Sequence, residues 1–117
     1  MTTLLVLYRA PEGGPDALAT LESRYRDDHL PLVAQTPGLR AVRIWRIGEA
    51  LGGETDLVLA AAMDFDDRAA LDDGLRSDQM RAAARILREI APGIATFLVL
   101  EEAPDLLSGE SSAGSAG

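Results

Sequence analysis

The sequence predicts a small α+β domain in which helices cover one face of an antiparallel sheet. Three observations indicate this class. Four segments have the length and composition of strands, three of them apolar runs and one with polar residues interleaved among β-branched ones. Two longer segments between them have helical periodicity, and turn residues stand at the boundaries. The predicted order is β-α-β-β-α-β, and 117 residues are the length of one domain.

The first strand and the first helix open the chain. Leu4–Arg9 is an apolar run of strand length, followed by loop residues. Helix 1 is predicted to begin at Pro15 beside Asp16, because proline and an acidic residue both suit a first turn. Pro31 kinks or ends this helix. At about 100° per residue, one apolar stripe contains Leu18, Leu21, Tyr25 and Leu32, with His29 inside it.

The second half contributes two strands, an interrupted helix and a final strand. These segments are Leu39–Ile47, Asp56–Phe65, a helical stretch through Leu75, its continuation Asp78–Ala91, and Ala95–Glu102. Asp66 is predicted to cap the helical stretch, and Gly74 and Ser77 predict the break. The whole order is the split βαβ arrangement of ferredoxin-like folds, in which both helices pack on one face of a four-stranded antiparallel sheet.

The chain divides into a folded part and a tail. The folded domain is predicted to span residues 1–107. From Ser108 onward the sequence consists almost entirely of Ser, Gly and Ala, which is the composition of a linker. This segment has nothing to bury that offsets the entropy cost of ordering, so residues 108–117 are predicted to be flexible.

Composition argues against several classes of site and partner. With no cysteine, the chain has no disulfide, zinc–thiolate site or cysteine nucleophile. A net charge of −8 disfavours binding to nucleic acid or to an anionic membrane. The apolar run near the N-terminus is too short for a signal peptide or a membrane span, so we expect a cytoplasmic protein. One histidine and no suitably spaced carboxylate cluster predict no metal site, and without a glycine-rich fingerprint we expect no cofactor.

Strand composition predicts a homodimer. Leu4–Leu7, Leu57–Ala62 and Phe97–Leu100 are apolar at successive positions, whereas a sheet with one wet face alternates apolar and polar residues. The two helices cover only one face, and a monomer does not tolerate an apolar patch as large as the other. A second copy of the chain is the simplest cover. The alternative, Ala103–Leu107 folding back across that face, offers too few residues.

One motif resembles a known family. The pattern Tyr25-x-x-x-His29-x-Pro31-Leu32, followed by Pro37–Arg40, resembles the signature of EthD-like proteins of the dimeric α+β barrel superfamily. Supporting matches are Leu7–Pro11, Phe65–Asp67 and Phe97–Glu102, so the resemblance covers about Leu4 to Glu102. It implies two ferredoxin-like units packed sheet to sheet, each with a pocket between its helices and its sheet.

The resemblance does not imply one reaction. Relatives in the superfamily include cofactor-free monooxygenases, polyketide cyclases, lactone isomerases and haem proteins, and fold alone does not fix chemistry. The chain also departs from the family pattern. Many EthD-like chains carry a tyrosine after the Gly-Leu-Arg turn, where this chain has Ala41-Val42, so one pocket hydroxyl is predicted to be missing.

His29 is the candidate catalytic residue, because any imidazole mechanism must use the only histidine. The alternative is a structural histidine bonded to a backbone carbonyl near Pro31; haem ligation is a third reading. Tyr25, one turn earlier, is predicted to line the same pocket or to belong to the core. Trp45 either stacks on an aromatic ligand or anchors a dimer interface. Tyr8 and Leu32, in the matching motifs, are further candidate ligand-binding residues.

Two function classes follow. The first is a cofactor-independent enzyme of oxygenase, cyclase or isomerase type, acting on a small aromatic or polyketide-like molecule with His29 as acid or base. The second is a non-catalytic dimer that binds a small apolar ligand or supports an oxidative degradation pathway. For both function classes we expect an apolar pocket with few polar groups. Loss of turnover on substituting His29 separates the first class from the second.

Overall fold

The computed structural model describes residues 1–108. The strands and helices follow the predicted β-α-β-β-α-β order, and each of the two predicted helices is divided into shorter pieces. The strands are β1 (Thr2–Arg9), β2 (Leu39–Arg46), β3 (Leu57–Phe65) and β4 (Ala95–Glu101). The helices are α1 (Gly14–Arg24), a π-helical turn (Tyr25–His29), α2 (Leu30–Val33), α3 (Arg68–Leu75), α4 (Asp78–Ile90) and α5 (Pro104–Ser108).

The four strands form one antiparallel sheet in the order β2-β3-β1-β4. This confirms the predicted α+β class and ferredoxin-like topology. Val6 of β1 lies opposite Ala61 of β3 and Phe97 of β4, so these side chains share the face that the helices cover. Leu7, the next residue, lies opposite Ala60 and faces the other way.

The core lies between the helices and this inner face of the sheet. Every second residue of β1 and β3 points into it, and the helices add buried side chains such as Leu21, Leu71 and Leu87. The buried apolar residues are Leu4, Val6, Tyr8, Leu21, Tyr25, Val33, Leu59, Ala61, Met63, Phe65, Leu71, Met80, Ala83, Leu87 and Ala91.

A π-helical turn changes the phase of the first helix. The Leu30 N–H donates to the Tyr25 carbonyl, five residues earlier rather than four. The extra residue in this turn rotates the positions that follow it around the helix axis. Val33 is therefore buried in place of the predicted Leu32, which is only partly buried. The predicted kink at Pro31 is therefore preceded by a π turn that ends at His29.

The second helix is broken where predicted, but its first cap is a different residue. The Ser77 hydroxyl accepts a hydrogen bond from the Met80 N–H and so begins α4. The residue that caps α3 is Asp67, whose carboxylate accepts from the Ala70 N–H, and the prediction of Asp66 was wrong. Asp66 is instead paired with Arg40 at 2.8 Å.

The face of the sheet opposite the helices carries apolar side chains in contact with solvent. We call it the outer face, and it includes Leu5, Leu7, Trp45, Ala60, Leu98 and Leu100, together with Ala62, which its neighbours bury. Leu98 and Leu100 are 41% and 44% exposed. The described residues after β4 do not cover this face, because Leu106 and Leu107 of α5 are themselves 78% and 94% exposed.

The predicted tail lies almost wholly outside the described residues. Ser108, its first residue, ends α5, and the prediction for residues 109–117 has no structural counterpart here. Among residues 1–108, no helix is long and apolar enough to cross a membrane.

Candidate functional site

Three aromatic side chains from β1 and the π-helical turn form one buried cluster. The rings of Tyr25 and His29 stack with their centroids 4.9 Å apart. Tyr8 meets Tyr25 edge to face at 5.3 Å, and its hydroxyl donates to the Tyr25 hydroxyl at 3.2 Å. The stacking holds the imidazole plane between the first helix and the sheet.

A hydrogen bond to α4 orients His29. Its Nδ1 lies 3.0 Å from the Ala83 carbonyl oxygen, and because a carbonyl can only accept, Nδ1 carries the proton. In the neutral imidazole Nε2 is then an unprotonated acceptor. The expectation of a backbone carbonyl partner fits this contact, although the carbonyl belongs to α4 and not to the helix near Pro31.

His29 and Tyr8 line a cavity of about 650 Å³, which we call the His29 cavity. Its walls come from the inner face of the sheet and from α4, and they are mostly apolar. The other lining residues are Val6, Val33, Met63, Leu75, Met80, Arg81, Ala84, Arg85, Leu87, Arg88, Ala91, Pro92, Gly93, Ala95 and Phe97. A volume of this size is typical of sites for small organic ligands.

Burial shapes the ionisation of the aromatic cluster. It lowers the pKa of His29 below the ordinary value of 6.5, and the bond to the Ala83 carbonyl offsets only part of this. Burial raises the pKa of Tyr8, and the electrostatic interaction and hydrogen bond with the Tyr25 hydroxyl raise it further. Burial also raises the pKa of Tyr25, partly offset by the hydrogen bond from Tyr8. At neutral pH both phenols are protonated and His29 is a neutral base.

The candidate residues separate into three places. His29 and Tyr8 lie in the cavity wall, and Tyr25 stands behind His29, beside a smaller cleft of about 300 Å³. Leu32 packs on the core but does not line the cavity; Val33 does. Trp45 lies on the outer face at 45% exposure, away from His29, with the Arg43 guanidinium 5.5 Å from its ring centroid.

The structure adds residues that the sequence interpretation did not single out. Arg81, Arg85 and Arg88 stand at the exposed edge of the cavity, and the Ala83 carbonyl anchors the imidazole. The arginines had a signal in the sequence, because spacings of four and three residues place them on one face of a helix. The Ala83 carbonyl had none, since a backbone contact between residues 54 apart depends on the packing of α4.

Other sites are less suited to chemistry. Among the described residues, no group of three histidine, cysteine or carboxylate side chains is placed to hold a metal ion. A second cleft of about 880 Å³ is lined by side chains of mixed charge, including Arg9, Glu12, Arg24 and Glu89. It contains neither His29 nor a tyrosine, so the His29 cavity is the better candidate.

The arrangement in the His29 cavity suits proton transfer in an apolar environment. A neutral imidazole with its Nδ1–H anchored presents Nε2 as the proton acceptor. Low polarity around the base strengthens its electrostatic interactions with a bound molecule. Tyr8 in the cavity wall and Tyr25 behind His29 stay protonated, so they add hydroxyl groups rather than charges to the surroundings of the base.

The chain is similar to known proteins through solved structures. No protein-family model matches the chain, and no curated protein matches it either. Among solved structures, an ethyl tert-butyl ether d (EthD) family protein from Bacillus halodurans has a TM-score of 0.79 and 29% identity, over 88% of this chain and 99% of that one.

Two further solved structures are similar in fold. A dimeric protein of unknown function from Bacteroides fragilis, with a ferredoxin-like fold, has 18% identity and a TM-score of 0.65, over 86% of this chain and 95% of its own. A structure described as an antibiotic biosynthesis monooxygenase has 15% identity and a TM-score of 0.59, over 89% and 100%. The comparisons confirm the resemblance that the sequence motifs indicated: the chain is similar to an EthD family protein, and it has the ferredoxin-like fold.

Proposed function

We propose that the protein is a homodimeric enzyme that acts without a bound cofactor, with His29 as its general base and a small aromatic or polyketide-like molecule as its substrate. One observation carries this proposal. His29 is 4% exposed and lines the His29 cavity, and its Nδ1–H is anchored on the Ala83 carbonyl. An oriented, neutral imidazole in an apolar cavity is suited to removing a proton from a bound molecule.

The shape and lining of the cavity support an organic substrate. About 650 Å³ is enough for a molecule of one to three rings, and Val6, Met63 and Leu87 offer apolar contact. Proton removal from an acidic carbon or a phenol is the step shared by cofactor-free oxygenation, cyclisation and isomerisation. The fold similarity to the antibiotic biosynthesis monooxygenase is compatible with this class and does not select within it.

The outer face supports the homodimer. Trp45, Leu98 and Leu100 form part of one exposed apolar surface on the face of the sheet that the helices do not cover. Similar structures from Bacteroides fragilis and Thermobifida fusca are described as dimeric. A second copy packed on this face removes the apolar surface from water without using the His29 cavity, which lies on the opposite side of the sheet.

His29→Asn is the decisive variant. Asn offers an N–H near the position of Nδ1, which can still donate to Ala83, but it has no atom equivalent to Nε2. Thermal-shift screening of aromatic ketones, quinones and lactones identifies binders, and chromatography with mass detection then measures their conversion. We expect wild-type protein to convert at least one binder and His29→Asn to lose about 100-fold or more of that rate.

Asp28→Asn is the matched control, because Asp28 is the exposed neighbour of His29 and pairs with Arg24 outside the cavity. It should convert the binder at the wild-type rate. Undiminished turnover by His29→Asn contradicts the role of His29 as a base.

A second candidate function is binding without catalysis. Within the described part of the chain, His29 is the only group in the cavity wall that is a base near neutral pH. None of the described Asp and Glu residues lies in that wall to act as a partner acid. Binding of the same compounds with no conversion, by wild type and His29→Asn alike, supports this function.

A further inference from the structure

We infer that the molecule bound in the His29 cavity has an apolar body and a carboxylate, and that the carboxylate is held by Arg81, Arg85 and Arg88, the rim arginines. This inference rests on the proposed function, because it assumes that the cavity binds a small molecule. It adds the rim arginines as specificity-determining residues to a cavity whose apolar walls distinguish ligands only by shape.

The rim arginines form one row along α4. Their spacings of four and three residues put them on the same side of the helix, over about 10 Å at 1.5 Å per residue. All three line the His29 cavity and are exposed to solvent, so their charged ends stay hydrated at its mouth. Ala84 and Leu87 of the same helix form the apolar wall beside them.

The rim arginines are also distinguished by what they do not contact. The chain has eleven basic residues, all arginine. Seven of them pair with carboxylates, and Arg9 donates to the Gly93 carbonyl. Across residues 1–108, the rim arginines alone have no carboxylate or carbonyl partner. In a protein with 19 acidic residues this leaves three cations available to a ligand.

The cavity wall excludes acidic side chains as well. Not one of the described Asp and Glu residues is among its lining residues. The local charge is therefore positive although the net charge of the chain is −8. A cleft lined by one sign of charge concentrates ligands of the opposite sign, so an anion is favoured at this mouth.

The stability of α4 does not explain why the rim arginines lie in one row. Arg81 lies in the first turn and a half of α4, close to the positive end of the helix dipole, where a cation is unfavourable. Arg81 and Arg85 are four residues apart and Arg85 and Arg88 three apart, so each pair places like charges side by side. A ligand carboxylate between them relieves this repulsion.

A carboxylate on an apolar body fits these features better than a phosphate does. Guanidinium groups bind carboxylates with two parallel hydrogen bonds, and the apolar wall accommodates the rest of the molecule. Among the described residues, the lining of the site includes no glycine-rich loop of backbone N–H groups, which phosphates of nucleotides use.

Two matched compounds test the inference: 1-naphthoate and the neutral 1-naphthamide, titrated calorimetrically into the full chain at low salt. The variants are Arg81→Gln/Arg85→Gln/Arg88→Gln and the control Arg26→Gln/Arg40→Gln/Arg68→Gln, which loses the same charge from exposed ion pairs outside the cavity. The His29 imidazole signals in NMR spectra report whether each compound enters the cavity, since the chain has one histidine.

We expect wild type to bind naphthoate at least 10-fold more tightly than naphthamide. The rim variant should lose that preference while keeping its naphthamide affinity, and the control should change either affinity less than 3-fold. Equal affinities of wild type for the two compounds overturn the rim site and leave the cavity standing. Binding that leaves the His29 signals unmoved overturns both the rim site and the proposed pocket. A rim variant that changes oligomeric state assigns the arginines to an interface instead, and overturns the inference.

Discussion

His29 donates its Nδ1–H to the carbonyl oxygen of Ala83 at 3.0 Å, joining the π-helical turn to α4 across 54 residues of sequence. The bond satisfies one nitrogen of a buried imidazole and sets its tautomer. It also fixes the distance between the first helix and the helix that carries the rim arginines. The base and the mouth of the cavity are therefore positioned by one contact.

Stability should fall as the pH is lowered through the range in which His29 titrates. Its pKa in the folded protein lies below the unfolded value of 6.5, so the unfolded state binds the proton more readily. The contribution is complete above the unfolded pKa and is lost as the pH falls toward the folded pKa. In wild type, the urea midpoint measured at about pH 5.5 should be lower than the midpoint at about pH 7.5. Carboxylates titrate little in this range.

His29→Asn isolates this effect, because it removes the only imidazole and keeps a donor for Ala83. The variant should show a smaller difference between the two midpoints than wild type does. Equal differences in the two proteins contradict the assignment of the pH dependence to His29.

The hydroxyl pair of Tyr8 and Tyr25 should show coupling in a double-mutant cycle. Both side chains are buried, so Tyr8→Phe or Tyr25→Phe alone leaves one hydroxyl without its partner, at a cost of about 1–3 kcal/mol. Removing both leaves no orphaned group, and the double variant should cost less than the sum of the single ones. Chemical denaturation measures the three free energies, and additive losses contradict the pairing.

Gly74 should not tolerate alanine, even though alanine favours helices. A Cβ at this position meets the Phe65 ring at 2.8 Å, and Phe65 is 0% exposed and has no room to move. Overpacking of this kind costs about 1–3 kcal/mol, against a helix-propensity gain of about 1 kcal/mol. We expect Gly74→Ala to lower the melting temperature. Gly53→Ala is the control, because a Cβ there meets nothing within 4 Å; an unchanged melting temperature for Gly74→Ala contradicts the close contact.

Leu98→Glu should convert the proposed homodimer to monomers. Leu98 lies opposite Leu5 on the outer face, and burying a carboxylate against a second sheet is strongly unfavourable. Light scattering at micromolar concentration measures the change in mass, and the single tryptophan, Trp45 on the same face, should become more exposed in fluorescence. Leu51→Glu, in a loop at 89% exposure, should remain a dimer. A monomeric wild type contradicts the proposal.

Local signals were enough to predict the order of elements and most of their ends. Ser77 begins α4 because its hydroxyl can reach the Met80 N–H three residues on, an interaction encoded within four residues. The apolar runs of β1, β3 and β4 likewise predicted a sheet with two apolar faces, and the exposed Leu98 and Leu100 bear this out. Even the single wrong cap, Asp66 for Asp67, is a shift of one residue.

The candidate site was predictable only in part. His29 was identifiable because it is the only histidine and lies on an apolar stripe. Its separation from Trp45 was not predictable, because the face on which a strand residue lies depends on register, and β2 contains an irregularity between Leu39 and Ala41. The burial of Val33 rather than Leu32 depends on the π-helical turn, and a uniform helical period does not predict that turn.

The sequence by itself determined the α+β class, the β-α-β-β-α-β order and the identity of the imidazole, because these depend on residue type and on contacts within a few positions. Tertiary structure alone decided that Ala83 anchors His29 and that Tyr8 pairs with Tyr25. It also decided that the arginines of α4 stand at the mouth of a cavity with no carboxylate partner among residues 1–108. These relationships join residues that are distant in sequence. They exist only after the helices have packed on the sheet, since packing determines which side chains meet and which charges stay unpaired.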